Sequence, residues 1–144
     1  MAVTLTLQRC SQHKSIPKNR QIDTWMRLIL KKMRCTDVDI TLRMVNPKES
    51  AALNAHYRQK TGATNVLSFV YESKPVWGDI VLCAPLIARQ AKQQKKSVSA
   101  HWAHLIVHGC LHLLGYDHVK LKEAVKMERL EIKLLKALCL KKDQ

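Results

Sequence analysis

The stretch from Val98 to Leu114 leaves the fold least choice. Trp102, Ala103, Leu105, Ile106, Val107 and Leu111 put apolar side chains around most of a helix, so that helix belongs in the interior. One stripe differs. At about 100° per residue, His101, His104, His108 and His112 fall within an arc of roughly 80°. A buried helix with a row of imidazoles needs partners for them, because an unpaired buried polar group is costly.

Three histidines have metal-ligand spacing. His108 and His112 lie one helical turn apart on one face, so both rings can reach one ion. His118 follows six residues later, too far along a continuing helix to share that ion. Gly115 supplies the break, because glycine readily takes the left-handed conformation that ends helices. Tyr116 and Asp117 can then turn back and deliver His118. Three neutral imidazoles leave one position open on a tetrahedral Zn²⁺, the catalytic rather than the structural arrangement. The expectation is one divalent ion, Zn²⁺ first, on His108, His112 and His118. Cys110 lies between two of these positions but points elsewhere and reads as core packing. His101 and His104 either line the same cleft or are ordinary histidines.

The spacing also matches H-E-x-x-H-x-x-G-x-x-H of the metzincin proteases, glycine included. Where those proteases carry their glutamate base, this chain has Gly109. The ion site survives that change, but the peptide-cleaving chemistry loses its general base.

At 144 residues the chain is long enough for one domain with a proper core, spanning 1–144. It has no secretory apolar region at its N-terminus and no run near the roughly 18 residues that cross a membrane. Its five cysteines are widely spaced, odd in number and without a C-x-x-C pair. Reduced thiols, a cytoplasmic location and no disulfide-linked partner are expected. The net charge of +14, from 25 Lys+Arg against 11 Asp+Glu, points to a polyanionic partner, nucleic acid ahead of a membrane surface.

Periodicity supplies the remaining elements. Val3 to Leu7 alternates as a short strand. Residues Asn19 to Arg34 carry Ile22, Trp25, Met26, Ile29 and Met33 on one helical stripe. In Asp37 to Val45, Val38, Ile40, Leu42 and Met44 share one strand face. Asn46-Pro47-Lys48-Glu49 reads as a helix start with a capping box. Strands are expected at Thr64 to Tyr71 and Gly78 to Cys83, with Ser73 to Trp77 as the connection. Helices then open at Pro85, at Val98 and near Lys120, the last running to about Leu140. The order implies an α/β (α+β) domain, a small mixed four-stranded sheet packed with about five helices. The metal-binding helix would lie beside a cleft.

The run His108-Gly109-Cys110-Leu111-His112-Leu113-Leu114-Gly115-Tyr116-Asp117-His118 resembles the signature of the YbeY family, bacterial metal-dependent endoribonucleases that mature ribosomal RNA. Asn54-x-x-Tyr57-Arg58, Thr64-Asn65-Val66-Leu67-Ser68-Phe69 and Gly78-Asp79-Ile80 resemble further family segments, so the likeness spans roughly residues 40–135. It implies a catalytic, substrate-binding role for Arg58, whose guanidinium suits a phosphate. His108 would be both ligand and catalytic residue. Where the family usually has Asp, this chain has Asn65, which can hydrogen-bond but cannot exchange a proton. Asp79 is either a partner of a metal-bound histidine or a strand-start residue in a turn.

The resemblance implies a single-strand-specific endoribonuclease acting in 16S ribosomal RNA 3′-end processing and ribosome quality control. Ribosomal RNA and the small ribosomal subunit would be its partners, with no membrane involved. The residues themselves leave two other readings. One is a metzincin-like metal-dependent hydrolase; the other is a noncatalytic RNA-binding assembly factor whose metal is structural.

Overall fold

A computed structural model describes residues 2–117 and 119–138. The order of elements is β1 (Val3–Arg9), α1 (Asn19–Lys32), β2 (Val38–Val45), α2 (Pro47–Arg58), β3 (Val66–Ser73), β4 (Val76–Cys83), α3 (Ala84–Gln93), α4 (Val98–Leu113) and α5 (Leu121–Ala137). The four strands form one mixed sheet in the order β1-β2-β4-β3. β1, β2 and β4 run parallel, and β3 closes the edge antiparallel to β4. This is the expected architecture, element for element.

The two sheet faces are unequal. Val38, Ile40, Leu42 and Met44 of β2 and Ile80 and Leu82 of β4 point into the main core, each at most 2% exposed. α1 lays Ile22, Trp25, Met26 and Ile29 on that core, as its periodicity requires. α4 runs through the middle, with Trp102, Ile106 and Leu111 fully buried. The other face carries a smaller cluster of Val45, Leu67, Val81 and Cys83, with Leu53 of α2 and Leu86 of α3 beside it. Cys110 is fully buried, and burial pushes its thiol up to about 12, in keeping with core packing. Cys10, Cys35, Cys83 and Cys110 are free thiols. Among the described residues no helix is long and apolar enough to cross a membrane.

Some boundaries and contacts differ from expectation. β3 starts at Val66 and reaches Ser73, while β4 starts at Val76, so the connection contracts to Lys74–Pro75. Continued pairing across the hairpin, Ser73 with Val76 and Glu72 with Trp77, extends both strands beyond their apolar runs. The capping box does not form. Asn46 occupies the N-cap position, but its Oδ1 accepts from Ser11 Oγ at 2.7 Å, and Glu49 pairs with Arg43 of β2. A charged partner on the preceding strand wins over the local backbone amide. The predicted end of the last helix falls partly outside the described residues, as does His118.

Candidate functional site

α4 ends as the sequence demands. Gly115 has φ +98°, its amide donates to His112 O at 3.1 Å, and the Tyr116 amide donates to Leu111 O at 3.0 Å. These paired bonds form the Schellman closure that favours glycine in the left-handed position. The chain is thereby turned towards Asp117 at the last turn of α4.

Gly109 explains how closely α4 sits on the sheet. A Cβ at this position would lie 2.8 Å from Ile80 Cγ2 and 3.2 Å from Ile80 Cδ1. The helix backbone therefore packs directly on the β4 side chain. The place where a metzincin has its base is occupied here by helix-sheet contact.

His108 and His112 project together from α4, with ring centroids 6.3 Å apart and planes 10° from parallel. Behind His108 stands a residue with no motif to announce it. Glu131 of α5 places Oε2 2.7 Å from His108 Nδ1 and Oε1 3.7 Å from His104 Nε2. Burial alone would raise the Glu131 carboxyl, but hydrogen bonds and charge from His104 and His108 outweigh it and bring it down to about 2. An ionised carboxylate only accepts, so the proton of the short contact resides on His108 Nδ1. The one signal in the sequence was position. Met127, Glu131 and Leu134 follow the buried stripe of α5, and a carboxylate there needs a partner.

The outer histidines diverge. His101 is 3% exposed and is not among the residues lining the two clefts that His108 and His112 reach. Its Nε2 is 3.1 Å from Gln90 Oε1, which also accepts from Asn65 Nδ2 at 3.0 Å. Burial holds its imidazole down at about 4. Asn65 thus acts as an amide donor in a half-buried chain leading to the buried His101. His104 instead shares Glu131 with His108.

Two adjoining clefts meet at Arg58, Ser68 and His112. The larger, about 790 Å³, reaches Tyr57, Phe69, Tyr71, Asp79 and Asp117; the other, about 350 Å³, reaches Asn65 and His108. Arg58 is the last residue of α2, and Gln59 after it has φ +53°. Its Nη2 donates to Ser68 O at 2.7 Å, and its guanidinium carbon lies 5.6 Å from the Phe69 ring centroid. Asn54 of the same segment donates to Gly62 O at 2.9 Å and pins the following loop. Asp79 is not the strand-start turn residue of one expectation. It lies within β4 and accepts from the Tyr71 hydroxyl at 2.6 Å.

Among the described residues no three His, Cys, Asp or Glu side chains converge as a ligand set, and the third expected histidine lies outside them. Two imidazoles, a buried carboxylate behind one of them and a cation lining the same clefts, on this α+β sheet, are the kind of side-chain set from which a hydrolase site can be built. Comparison narrows the class. The model of the family described as Endoribonuclease YbeY matches residues 7–139. The chain is 46% identical over 141 residues to Endoribonuclease YbeY of Methylococcus capsulatus, covering 94% of this chain and 91% of that one. With Endoribonuclease YbeY of Coxiella burnetii it shares 44% over 144 residues, covering 94% of each. The chain belongs to the YbeY endoribonuclease family. The family match takes in the end of β1 and all of α1, beyond the segments whose motifs carried the resemblance. The solution structure of TM1509 from Thermotoga maritima shares the fold, with a TM-score of 0.67 at 22% identity over 92% of this chain and 89% of that one.

Proposed function

We propose that this protein is a metal-dependent, single-strand-specific endoribonuclease of ribosomal RNA maturation, acting at the 3′ end of 16S ribosomal RNA and in ribosome quality control. His108, His112 and His118 would hold one divalent ion, Zn²⁺ first. The observation that carries this reading is the carboxylate of Glu131 behind His108. With its proton fixed on Nδ1, the ring presents its lone pair at Nε2, the arrangement that metal-ligating histidines almost always show. His112 lines the same cleft as His108, and three imidazoles with no thiolate are a donor set suited to Zn²⁺. When bound, such an ion supplies Lewis acidity to a phosphoryl oxygen and to water.

The chain's own residues do the rest. Glu131 keeps His108 in one tautomer and one orientation. Arg58, fixed by Ser68 O and the Phe69 ring, offers its other N–H groups to phosphate oxygens at the junction of the two clefts. Gly109 supplies no base, which disfavours peptide hydrolysis. The net charge of +14 suits RNA and the small ribosomal subunit, and the free thiols suit a cytoplasmic setting.

The test is cleavage of single-stranded ribosomal RNA and of casein, each with and without chelator, beside metal content of wild type and His112→Ala. RNA cleavage lost with chelator and restored by Zn²⁺, intact casein, and metal-depleted His112→Ala are expected. Chelator-insensitive cleavage, or a full metal equivalent in His112→Ala, would sink the assignment.

A further inference from the structure

The sheet face turned away from the main core is covered only in part. Its covered end holds Val45, Leu67, Val81 and Cys83. Its open end presents aromatic rings. Tyr57, Tyr71 and Trp77 are 57%, 51% and 48% exposed, although rings of this size usually find cover. They form two stations. Tyr57 meets Phe69 edge to face at 5.3 Å between centroids, and Tyr71 meets Trp77 at 5.0 Å. Asp79 joins the stations: it pairs across the strands with Phe69 and accepts from the Tyr71 hydroxyl. That bond ties down the polar end of Tyr71 and leaves its ring at the surface. The larger cleft runs continuously from Tyr57 and Tyr71 to Arg58 and His112.

We propose that this face is a stacking platform for the unpaired bases of single-stranded RNA, one base on Tyr57 and another on the Tyr71–Trp77 pair. The inference rests on the endoribonuclease reading and adds where the strand lies. A sheet face bearing aromatics is how several RNA-binding modules hold splayed bases, because every base has a π-face. Duplex bases are stacked on each other and cannot use such rings, so the platform selects single strands. Local charge is mixed: Asp39 and Glu72 pair across the strands with Trp77, while Arg58 and Lys60 stand at one end of the stripe and Lys74 at the hairpin end. The cations at the two ends, on a chain of net charge +14, are the groups that would meet the phosphates.

Trp77 makes the idea measurable without any cleavage. Of the three tryptophans, Trp25 is 2% and Trp102 0% exposed, so a stacked base will quench Trp77 alone. The experiment titrates the full chain with a single-stranded 2′-O-methyl oligoadenylate, its duplex with oligouridylate, and an abasic oligomer of equal length. The single strand should quench Trp77, while the duplex and the abasic oligomer should bind more weakly and quench little. Tyr57→Ala and Trp77→Ala should each weaken single-strand binding roughly 5- to 150-fold, the range expected for one lost base stack. Tyr57→Phe and Trp77→Phe should keep most of it. Thermal midpoints of all four variants guard against misfolding. Equal binding of the abasic and base-bearing strands, or wild-type affinity in both alanine variants, would overturn the platform. So would saturating RNA that leaves Trp77 unquenched, an outcome that would leave the face to a protein partner. Unaltered RNA cleavage beside absent stacking removes this inference alone, whereas chelator-insensitive cleavage removes the metal reading and leaves the stacking result standing.

Discussion

Glu131 and His108 are 23 residues apart in sequence and 2.7 Å apart in space, joined across the packing of α5 on α4. The contact explains why the last helix belongs to the site at all. It also sets the first prediction. Removing a carboxylate that orients a ligating imidazole typically costs 10- to 100-fold in metal affinity or activity. Glu131→Ala should bind Zn²⁺ about 10- to 100-fold more weakly in chelator competition while keeping its fold. Glu131→Gln, whose amide oxygen can still accept a hydrogen bond from His108 Nδ1–H, should lose less. Unchanged affinity in Glu131→Ala would show the contact to be structural only.

Gly109 yields a prediction about stability. Any Cβ there meets Ile80 Cγ2 at 2.8 Å, so helix or strand must shift. Overpacking of this kind costs about 1–3 kcal/mol. Gly109→Ala should lower the thermal midpoint, and Gly109→Glu should lower it further without creating peptidase activity. The double variant Gly109→Ala/Ile80→Ala should be more stable than the two single losses predict when added, because the clash has gone. Strict additivity would locate the cost elsewhere.

The comparison with the sequence is uneven for physical reasons. Strands and helices were legible because their burial is periodic: Val38, Ile40, Leu42 and Met44 alternate and Ile22, Trp25, Met26 and Ile29 repeat. The end of α4 was legible because Gly115 needs a conformation few residues tolerate. The capping box was misread because Glu49 had a better partner in Arg43, a contact that exists only once β2 and α2 are assembled. The turn reading of Asp79 fails because β4 is longer than its apolar run, placing that residue inside the strand opposite Phe69. Glu131 was missed altogether. Its role depends on which face of α5 meets α4, and no local spacing encodes that.

His101 gives a pH prediction. Burial, with the like charges of Lys96 and His104, lowers its pKa from the ordinary 6.5 to about 4. The groups around it are Gln90 of α3, which accepts from its Nε2, Lys96, and His104 on its own helix. Between these two pKa values the unfolded chain binds a proton that the folded chain refuses. The stability linked to this group is therefore whole above about pH 6.5 and declines as pH falls towards 4, by at most about 3 kcal/mol. His101→Leu should flatten that part of the profile. Denaturant unfolding of both proteins at pH 7, 5.5 and 4.5 measures it. Parallel profiles would mean that His101 protonates equally in both states.

Arg58 is held at the cleft by one hydrogen bond to Ser68 O and by the Phe69 ring, and among the described residues it forms no salt bridge. A side chain serving the fold would more often spend its charge on a carboxylate. This one lines the same clefts as His112. A phosphodiester under attack gathers negative charge on its non-bridging oxygens, and a fixed guanidinium stabilises that state more than the ground state. Removing one such donor costs about 10²–10³ in rate. Arg58→Ala should show that loss in RNA cleavage. Arg58→Lys should fall between, since lysine keeps the charge but not the planar fork. Metal content should stay at the wild-type level. The thermal midpoint should drop only slightly, because a neutral-acceptor hydrogen bond and an exposed cation–π contact are each worth about 1 kcal/mol. Wild-type cleavage by folded, metal-loaded Arg58→Ala would refute the role, and loss of metal or fold in that variant would make Arg58 structural.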